Sequence, residues 1–253
     1  MPAITGYANR FQAKEDVAAY DLKEYGAGSY SSCVWDWQRP LLAHIFLERQ
    51  GEMRRPLSLL DFACGTGRVT ASLESLAGAA EGVDISPEMV AVARTKCVKA
   101  RLLVGDILTQ PELLQKDYDV ITAFRFLLNV EPEIRHRVLR RLREVIREPD
   151  GRLLVNVHGN SRSLRHPAIL WRRWRERGPA GGAMLNEMSP DETRRLLREC
   201  GFQVVRQFGF GVLPPTLYRT PLRPLAFAAD KALAGDGWFK DWAIDLLFVC
   251  RPV

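Results

Sequence analysis

An α/β chain built on a mostly parallel sheet is what this sequence predicts, and three observations predict it. From about Leu57 onward, short apolar runs alternate with helix-like segments. The first run, "LSLLDFACGTGRVT" (Leu57 to Thr70), ends in Asp61 and passes at once into small residues, as a strand does before a tight turn. The 253 residues, 47% apolar and 26% charged, are enough to build and cover one large sheet. Strands and helices in this order pair in parallel, with helices on both faces.

Strands are predicted at 57–62, 80–84, 101–105, 118–124, 151–157, 203–210 and 243–250. Helices are predicted at 66–77, 87–99, 110–115, 132–147 and 190–200. Ser86-Pro87 with Glu88, and Ser189-Pro190 with Asp191 and Glu192, each supply a capping hydroxyl, a first-turn proline and an acid at the positive helix end. In 132–147, Ile134, Val138, Leu139, Leu142, Val145 and Ile146 form an apolar stripe, with Arg137, Arg140, Arg141 and Arg147 mostly beside it. No helix is predicted between the sixth and seventh strands. Residues 1–50 read as a helical, aromatic cap and 51–253 as the main domain, with insertions at about 159–188 and 211–242. Ligands of open parallel sheets bind beyond the C-terminal strand ends, so the insertions are candidates to wall a pocket.

Composition excludes several classes. The longest apolar runs fall far short of the roughly 20 residues a membrane span needs. The N-terminus lacks a basic segment followed by an apolar core, so a cytoplasmic protein is expected. The five cysteines are scattered and never in CxxC spacing, which fits reduced thiols and gives no metal-ligand pattern. The net charge of +6 is uneven: residues 125–177 hold 14 Arg and no Lys against 6 acids. That tract is either a solvated helix face or a surface for an anionic partner.

The turn after the first strand carries the chemistry. Gly65 and Gly67 let the backbone bend tightly and let a ligand approach it. The helix that follows offers free N–H groups to a carboxylate or phosphate. Asp61 is placed to accept from a cationic amine. Asp84, 23 residues after Asp61 and at the end of the next strand, is placed for a ribose diol; a first-turn helix acid is its plainer reading. Asp106, after the third strand, is placed for an adenine amino group, with Ile107 to cover the ring.

Together these residues resemble the class I S-adenosylmethionine-dependent methyltransferases, of the small-molecule type. "DFACGTG" is similar to that family's glycine-rich motif, with Ala63 where the family has its first glycine. "GVDISPEMVAVAR" resembles the second motif, with Asp84 as the ribose acid, and "GDIL" the third. "YDVITAFRFLLNV" is placed like the fourth strand and the loop lining the donor. The resemblance covers about 57–157 and implies a Rossmann-like, seven-stranded sheet that closes in an antiparallel hairpin from the last two strands. It also implies S-adenosyl-L-methionine as cofactor, held by Asp61, Ala63, Gly65, Gly67, Asp84, Ile85, Met89, Asp106, Ile107 and Phe124. A nicotinamide-binding fold, the main rival, wants a third glycine and no counterpart of Asp106. Strand four lacks the Asn/Asp-Pro-Pro-aromatic run of base-flipping DNA enzymes, so DNA is not the expected partner.

The acceptor is expected to be a small molecule methylated at oxygen or nitrogen: a sugar, an isoprenoid or a lipid-linked metabolite. His158, just past the fifth strand, is the candidate base, since a histidine can move a proton near neutral pH; a hydrogen-bonding loop residue is the plainer reading. Tyr30, Arg125, Asn129 and Trp171 are candidates for the acceptor pocket, with Tyr25 and Trp35 in the aromatic cover. His44 reads as structural, His136 lies among surface arginines and His166 precedes a proline. In "SRSLRHPAILWRRWRER", Leu170, Trp171 and Trp174 share a side while arginines crowd the rest. That pattern fits a lid, or an interfacial helix making a peripheral membrane contact. An RNA methyltransferase and a non-catalytic binder of the cofactor are the two alternative functions. The oligomeric state is not legible.

Overall fold

The computed structural model describes residues 26, 29–167, 171, 187–214, 217 and 220–253. A helix, α1 (Tyr30–Met53), leads into β1 (Ser58–Phe62), α2 (Arg68–Leu73), β2 (Ala79–Asp84), α3 (Pro87–Lys96) and β3 (Arg101–Val104). Then come β4 (Val120–Ala123), α4 (Pro132–Val145), β5 (Arg152–Val157), α5 (Pro190–Glu199), β6 (Phe202–Phe210), α6 (Arg223–Leu233) and β7 (Asp245–Pro252). The seven strands form one sheet in the order β3-β2-β1-β4-β5-β7-β6. The first five pair in parallel; β7 runs antiparallel to both β5 and β6. The predicted sheet and closing hairpin are therefore present.

Local signals act where the sequence placed them. Ser86 accepts from the Met89 amide, and Ser189 with Glu192 closes a reciprocal capping box. Leu59, Leu60, Ile121, Leu153, Val155 and Val157 are fully buried, because strands covered on both faces must be apolar throughout.

Three expectations change. The segment 110–115 is only a 3₁₀ turn at Pro111–Leu113, and the helix foreseen over 66–77 shortens to α2. The stretch between β6 and β7 does hold a helix, α6. Pro224 stands in its first turn, where a missing N–H costs nothing, so the prolines that suggested irregular chain are compatible with it. The N-terminal helix α1 runs through Pro40 to Met53 and packs Trp37 edge-on against Phe210 at 4.9 Å and tilted on Phe227 at 5.7 Å. It thus roofs the C-terminal end of the sheet, where β7 begins.

At the opposite end, Asp119 locks β1 to β4. Its carboxylate receives Arg55 at 2.5 and 2.8 Å, Arg147 at 2.6 Å and the Ser58 amide at 2.9 Å. These donors hold its carboxyl well below the usual carboxylate range, against the opposing effect of burial.

Candidate active site

The turn after β1 holds three consecutive left-handed positions in alternation: Ala63 (φ 53°), Gly65 (φ 54°) and Gly67 (φ 77°). The two glycines serve different ends. A Cβ on Gly67 would lie 2.8 Å from Ala93 Cβ and 2.9 Å from Cys97 Sγ, so Gly67 lets α3 pack close. A Cβ on Gly65 would meet nothing within 4 Å. The backbone at Gly65 therefore faces open space, ready for a ligand, while Gly67 faces protein.

Asp61 does not face that space. It is 1% exposed, and its oxygens accept from the Thr70 amide (2.9 Å), the Thr70 hydroxyl (2.5 Å) and the Thr122 hydroxyl (2.7 Å). Burial raises its pKa to about 6 despite these bonds. As placed, Asp61 braces the turn, which corrects the expectation of a carboxylate open to a cationic amine.

Asp84 ties the turn to α3, accepting from the Gly65 amide at 2.8 Å and the Ser86 amide at 3.0 Å. It is half-buried, and desolvation raises its pKa. Beside it Ile85 is 40% exposed, an apolar side chain left uncovered at the mouth of the turn. Asp106 is half-exposed and spends one oxygen on the Leu108 amide at 2.9 Å. Ile107 is 2% exposed within the core, so it cannot cover a ring as predicted; Ile85 is the apolar residue placed to do so. Met89 and Phe124 are buried and shape the floor. Clear space beside the Gly65 backbone, a carboxylate at the end of β2 and an exposed apolar neighbour fit a nucleoside-bearing donor.

A second group stands at the ends of β4, β5 and β7. Arg125 adopts a left-handed backbone (φ 54°), a strained state for a non-glycine residue, and Asn129 donates its side-chain amide to the Arg125 carbonyl. Asn129 thereby shapes the loop rather than offering that amide to a substrate. His158 buries Nδ1 with no hydrogen-bond partner, and burial with the Arg125 charge pushes its pKa down to about 3. It is neutral at any physiological pH and a weak base. Tyr30 lies under the Arg165 guanidinium, 4.6 Å from its ring centroid, with its hydroxyl packed onto Gly211. Arg68, at the start of α2, stacks 4.5 Å over Trp35. Trp171 is 58% exposed; Trp174 and Tyr25 lie outside the described residues. His44 is exposed, His136 contacts the Pro132 carbonyl and Glu199, and His166 pairs with Glu187 at 2.9 Å. None of these three stands with His158.

Sequence reasoning missed Gln38, Asn156 and Asp245, which meet at this rim. Gln38 Nε2 reaches Asp245 Oδ1 at 2.9 Å and Asn156 Nδ2 reaches the same oxygen at 2.5 Å. One sign was visible: Asp245 is the lone charge in the apolar run "AIDLLFVC".

Known proteins share this fold. A protein from Geobacillus sp. (strain WCH70) named "Putative methyltransferase" is 32% identical over 115 residues, which are 44% of this chain and 44% of that one. The chain thus matches less than half the length of that relative. Magnesium protoporphyrin IX methyltransferase from Synechocystis PCC 6803, crystallised with bound SAH, aligns over 97% of this chain and 98% of its own, with a TM-score of 0.64 and 16% identity. The same protein with bound SAM aligns over the full length of both chains, with a TM-score of 0.62 and 13% identity. At such identities the likeness is one of fold. A family model described as a methyltransferase domain matches residues 34–207, from α1 into β6, which includes the glycine turn, Arg125 and His158. The chain therefore belongs to the methyltransferase-domain family, in its Rossmann-like, S-adenosylmethionine-dependent form.

Proposed function

We propose that the protein methylates an oxygen or nitrogen of a small-molecule acceptor, a sugar, an isoprenoid or a lipid-linked metabolite, bound between the β4–β5–β7 rim and α1. The observation that carries this reading is the pairing of an open cradle at Gly65, framed by Asp84 and Ile85, with a separate polar cluster at Arg125 and His158. When bound, S-adenosylmethionine supplies an electrophilic methyl on a sulfonium. Asp84 takes the ribose hydroxyls and Asp106 the adenine amino group, while Ile85 covers the ring. Gly65 admits the donor to the backbone. In-line transfer asks the protein chiefly to orient the acceptor and keep water out. His158, neutral and with a bare Nδ1, accepts a hydrogen bond from the acceptor and orients it; its depressed pKa makes it a poor proton carrier.

The RNA alternative draws no support from four arginines of the basic tract. Arg135, Arg141, Arg143 and Arg147 are bound to protein carbonyls, thioether or carboxylates. They hold α4 in place instead of forming a phosphate track. For membranes, no helix among the described residues is long and apolar enough to span a bilayer. A peripheral contact through 162–177 fits the exposure of Leu164 (54%) and Trp171 (58%). Residues 168–170 and 172–186 lie outside the described chain.

Calorimetry with S-adenosylhomocysteine tests the donor site: binding is expected, and a folded protein that does not bind would leave only the fold. A metabolite extract supplied with methyl-labelled S-adenosylmethionine tests the acceptor, the labelled product giving its identity. Binding without any labelled product would favour the non-catalytic alternative. Co-sedimentation with anionic vesicles in low salt tests the peripheral contact, and a protein left wholly in the supernatant removes it.

A further inference from the structure

The structure assigns to Asp245 a role at the acceptor: we infer that it is the carboxylate that binds the reacting group, selecting an amine or hydroxyl that donates a hydrogen bond at the point of transfer. The inference rests on the methyltransferase reading proposed above and names the chemistry of its acceptor.

Three observations carry it. The first is position. Asp245 opens β7, and the antiparallel ladder pairs Val157 with Leu246, so one step further Asp245 stands opposite His158. Residues opposite each other in such a ladder project to the same face. Asp245 therefore belongs to the C-terminal rim of β4 and β5, where ligands of this architecture sit.

The second is how the carboxylate is held. Gln38 from α1 and Asn156 from β5 both donate to Oδ1, at 2.9 and 2.5 Å. No hydrogen bond from the described residues reaches Oδ2, and the side chain is only half-buried. Two amides thus fix the orientation of a carboxylate whose second oxygen is left open. A structural aspartate just before β4 looks different: Asp119 fills both oxygens with five donor contacts.

The third is the electrostatic setting. Arg125 from the end of β4 and Arg68 from the start of α2 are near enough to act on Asp245, and Tyr30 from α1 feels its charge. Burial outweighs these cations and the two amides, and the pKa of Asp245 rises to about 6. Arg68 follows directly on the glycine turn, so the same charge cluster links Asp245 to the donor cradle. A desolvated carboxylate in that setting gains most from a hydrogen-bond donor with positive or neutral character, and it repels an acceptor that presents a carboxylate.

The probe is sinefungin, a donor analogue that carries an amine in place of the sulfonium methyl and so points a cationic N–H donor from the methyl position toward the groups that face the acceptor. Calorimetry on the full chain compares it with S-adenosylhomocysteine, which has neither group. Wild type is expected to prefer sinefungin by roughly tenfold or more, and Asp245→Asn to abolish that preference while S-adenosylhomocysteine affinity stays within about twofold. The same preference in wild type should fade as pH falls through about 6, because protonated Asp245 no longer attracts the amine. This second measurement needs no variant. A preference unchanged in Asp245→Asn and flat with pH overturns the inference and leaves the donor site intact. Failure of wild type to bind either ligand overturns the donor-site reading itself.

Discussion

The two ends of the sheet treat their charged groups in opposite ways. At the N-terminal end, Asp119 accepts from two arginines and from Ser58, and its carboxyl is held below the usual range. At the C-terminal end, burial raises Asp61 and Asp245 to about 6 and also raises Asp84, while His158 Nδ1 is buried without a partner. The first end stabilises the fold through satisfied bonds. The second carries desolvated and strained groups: Asp61 and Asp84 brace the turn at the expense of burial, while His158 keeps a buried ring nitrogen without a protein partner. The same sheet thus separates what holds the protein together from what the protein does.

The sharpest way to break this comparison is to swap the readouts. Asp119→Ala leaves two arginines without their shared anion and frees the Ser58 amide, and should lower the unfolding free energy by about 3 kcal/mol. Affinity for S-adenosylhomocysteine should hardly move. Urea denaturation and calorimetry on the same sample check both. Asp84→Ala should act mainly on the donor: affinity falls by roughly 1.5–3 kcal/mol for each charge-assisted bond lost, while stability drops by about 1–3 kcal/mol because the Gly65 and Ser86 amides lose their acceptor. If Asp119→Ala weakened the donor more than Asp84→Ala, the two ends would not be functionally distinct.

Proton linkage gives the next effect. A carboxyl raised from about 3.9 unfolded to about 6 folded contributes stability that is complete below the unfolded value and lost as pH rises through 6. Asp61 and Asp245 should therefore make the protein more stable at pH 5 than at pH 7, by on the order of 1–2 kcal/mol each. Asp119 acts with the opposite sign: its contribution is present above about pH 4 and lost as pH falls further. His158, held neutral with a pKa of about 3, acts with the sign of Asp119 and offsets much of these gains between pH 7 and 5. The variant therefore isolates the effect: Asp245→Asn should raise stability at pH 7 relative to pH 5 by about 1 kcal/mol compared with wild type. A difference between pH 5 and pH 7 left unchanged by Asp245→Asn would contradict the raised carboxyl of Asp245.

What the sequence disclosed follows the same division by distance along the chain. The residues proposed for the donor, from Gly65 to Asp106, lie at or just after the ends of consecutive strands, so spacing alone brought Gly65 and Asp84 together. Even there burial was not legible: Ile107 and Ile85 exchange roles because a one-residue step decides which side chain faces the core. The acceptor rim is assembled from far apart. Gln38 meets Asp245 across 207 residues, which no local pattern encodes. Helix α6 was missed for a different reason, since its proline is a breaker inside a helix and harmless at its start.

The smallest effect tests whether strain belongs to the functional end at all. Ala63 stands where the family has glycine and adopts φ 53°, a conformation that costs an ordinary L-residue roughly 1–2 kcal/mol. Ala63→Gly removes that strain. It also gives the unfolded chain more freedom, a loss of about 0.4–1 kcal/mol, and removes a half-buried methyl that packs against the core. The balance should be a gain below about 1 kcal/mol, visible as a rise in midpoint of a few degrees at most, with S-adenosylhomocysteine affinity unchanged within about twofold. A destabilised Ala63→Gly would show that the methyl's packing outweighs the backbone strain. The alanine would then be a structural anchor of the turn, and the strain at this end would rest on Arg125 and the buried polar groups around it.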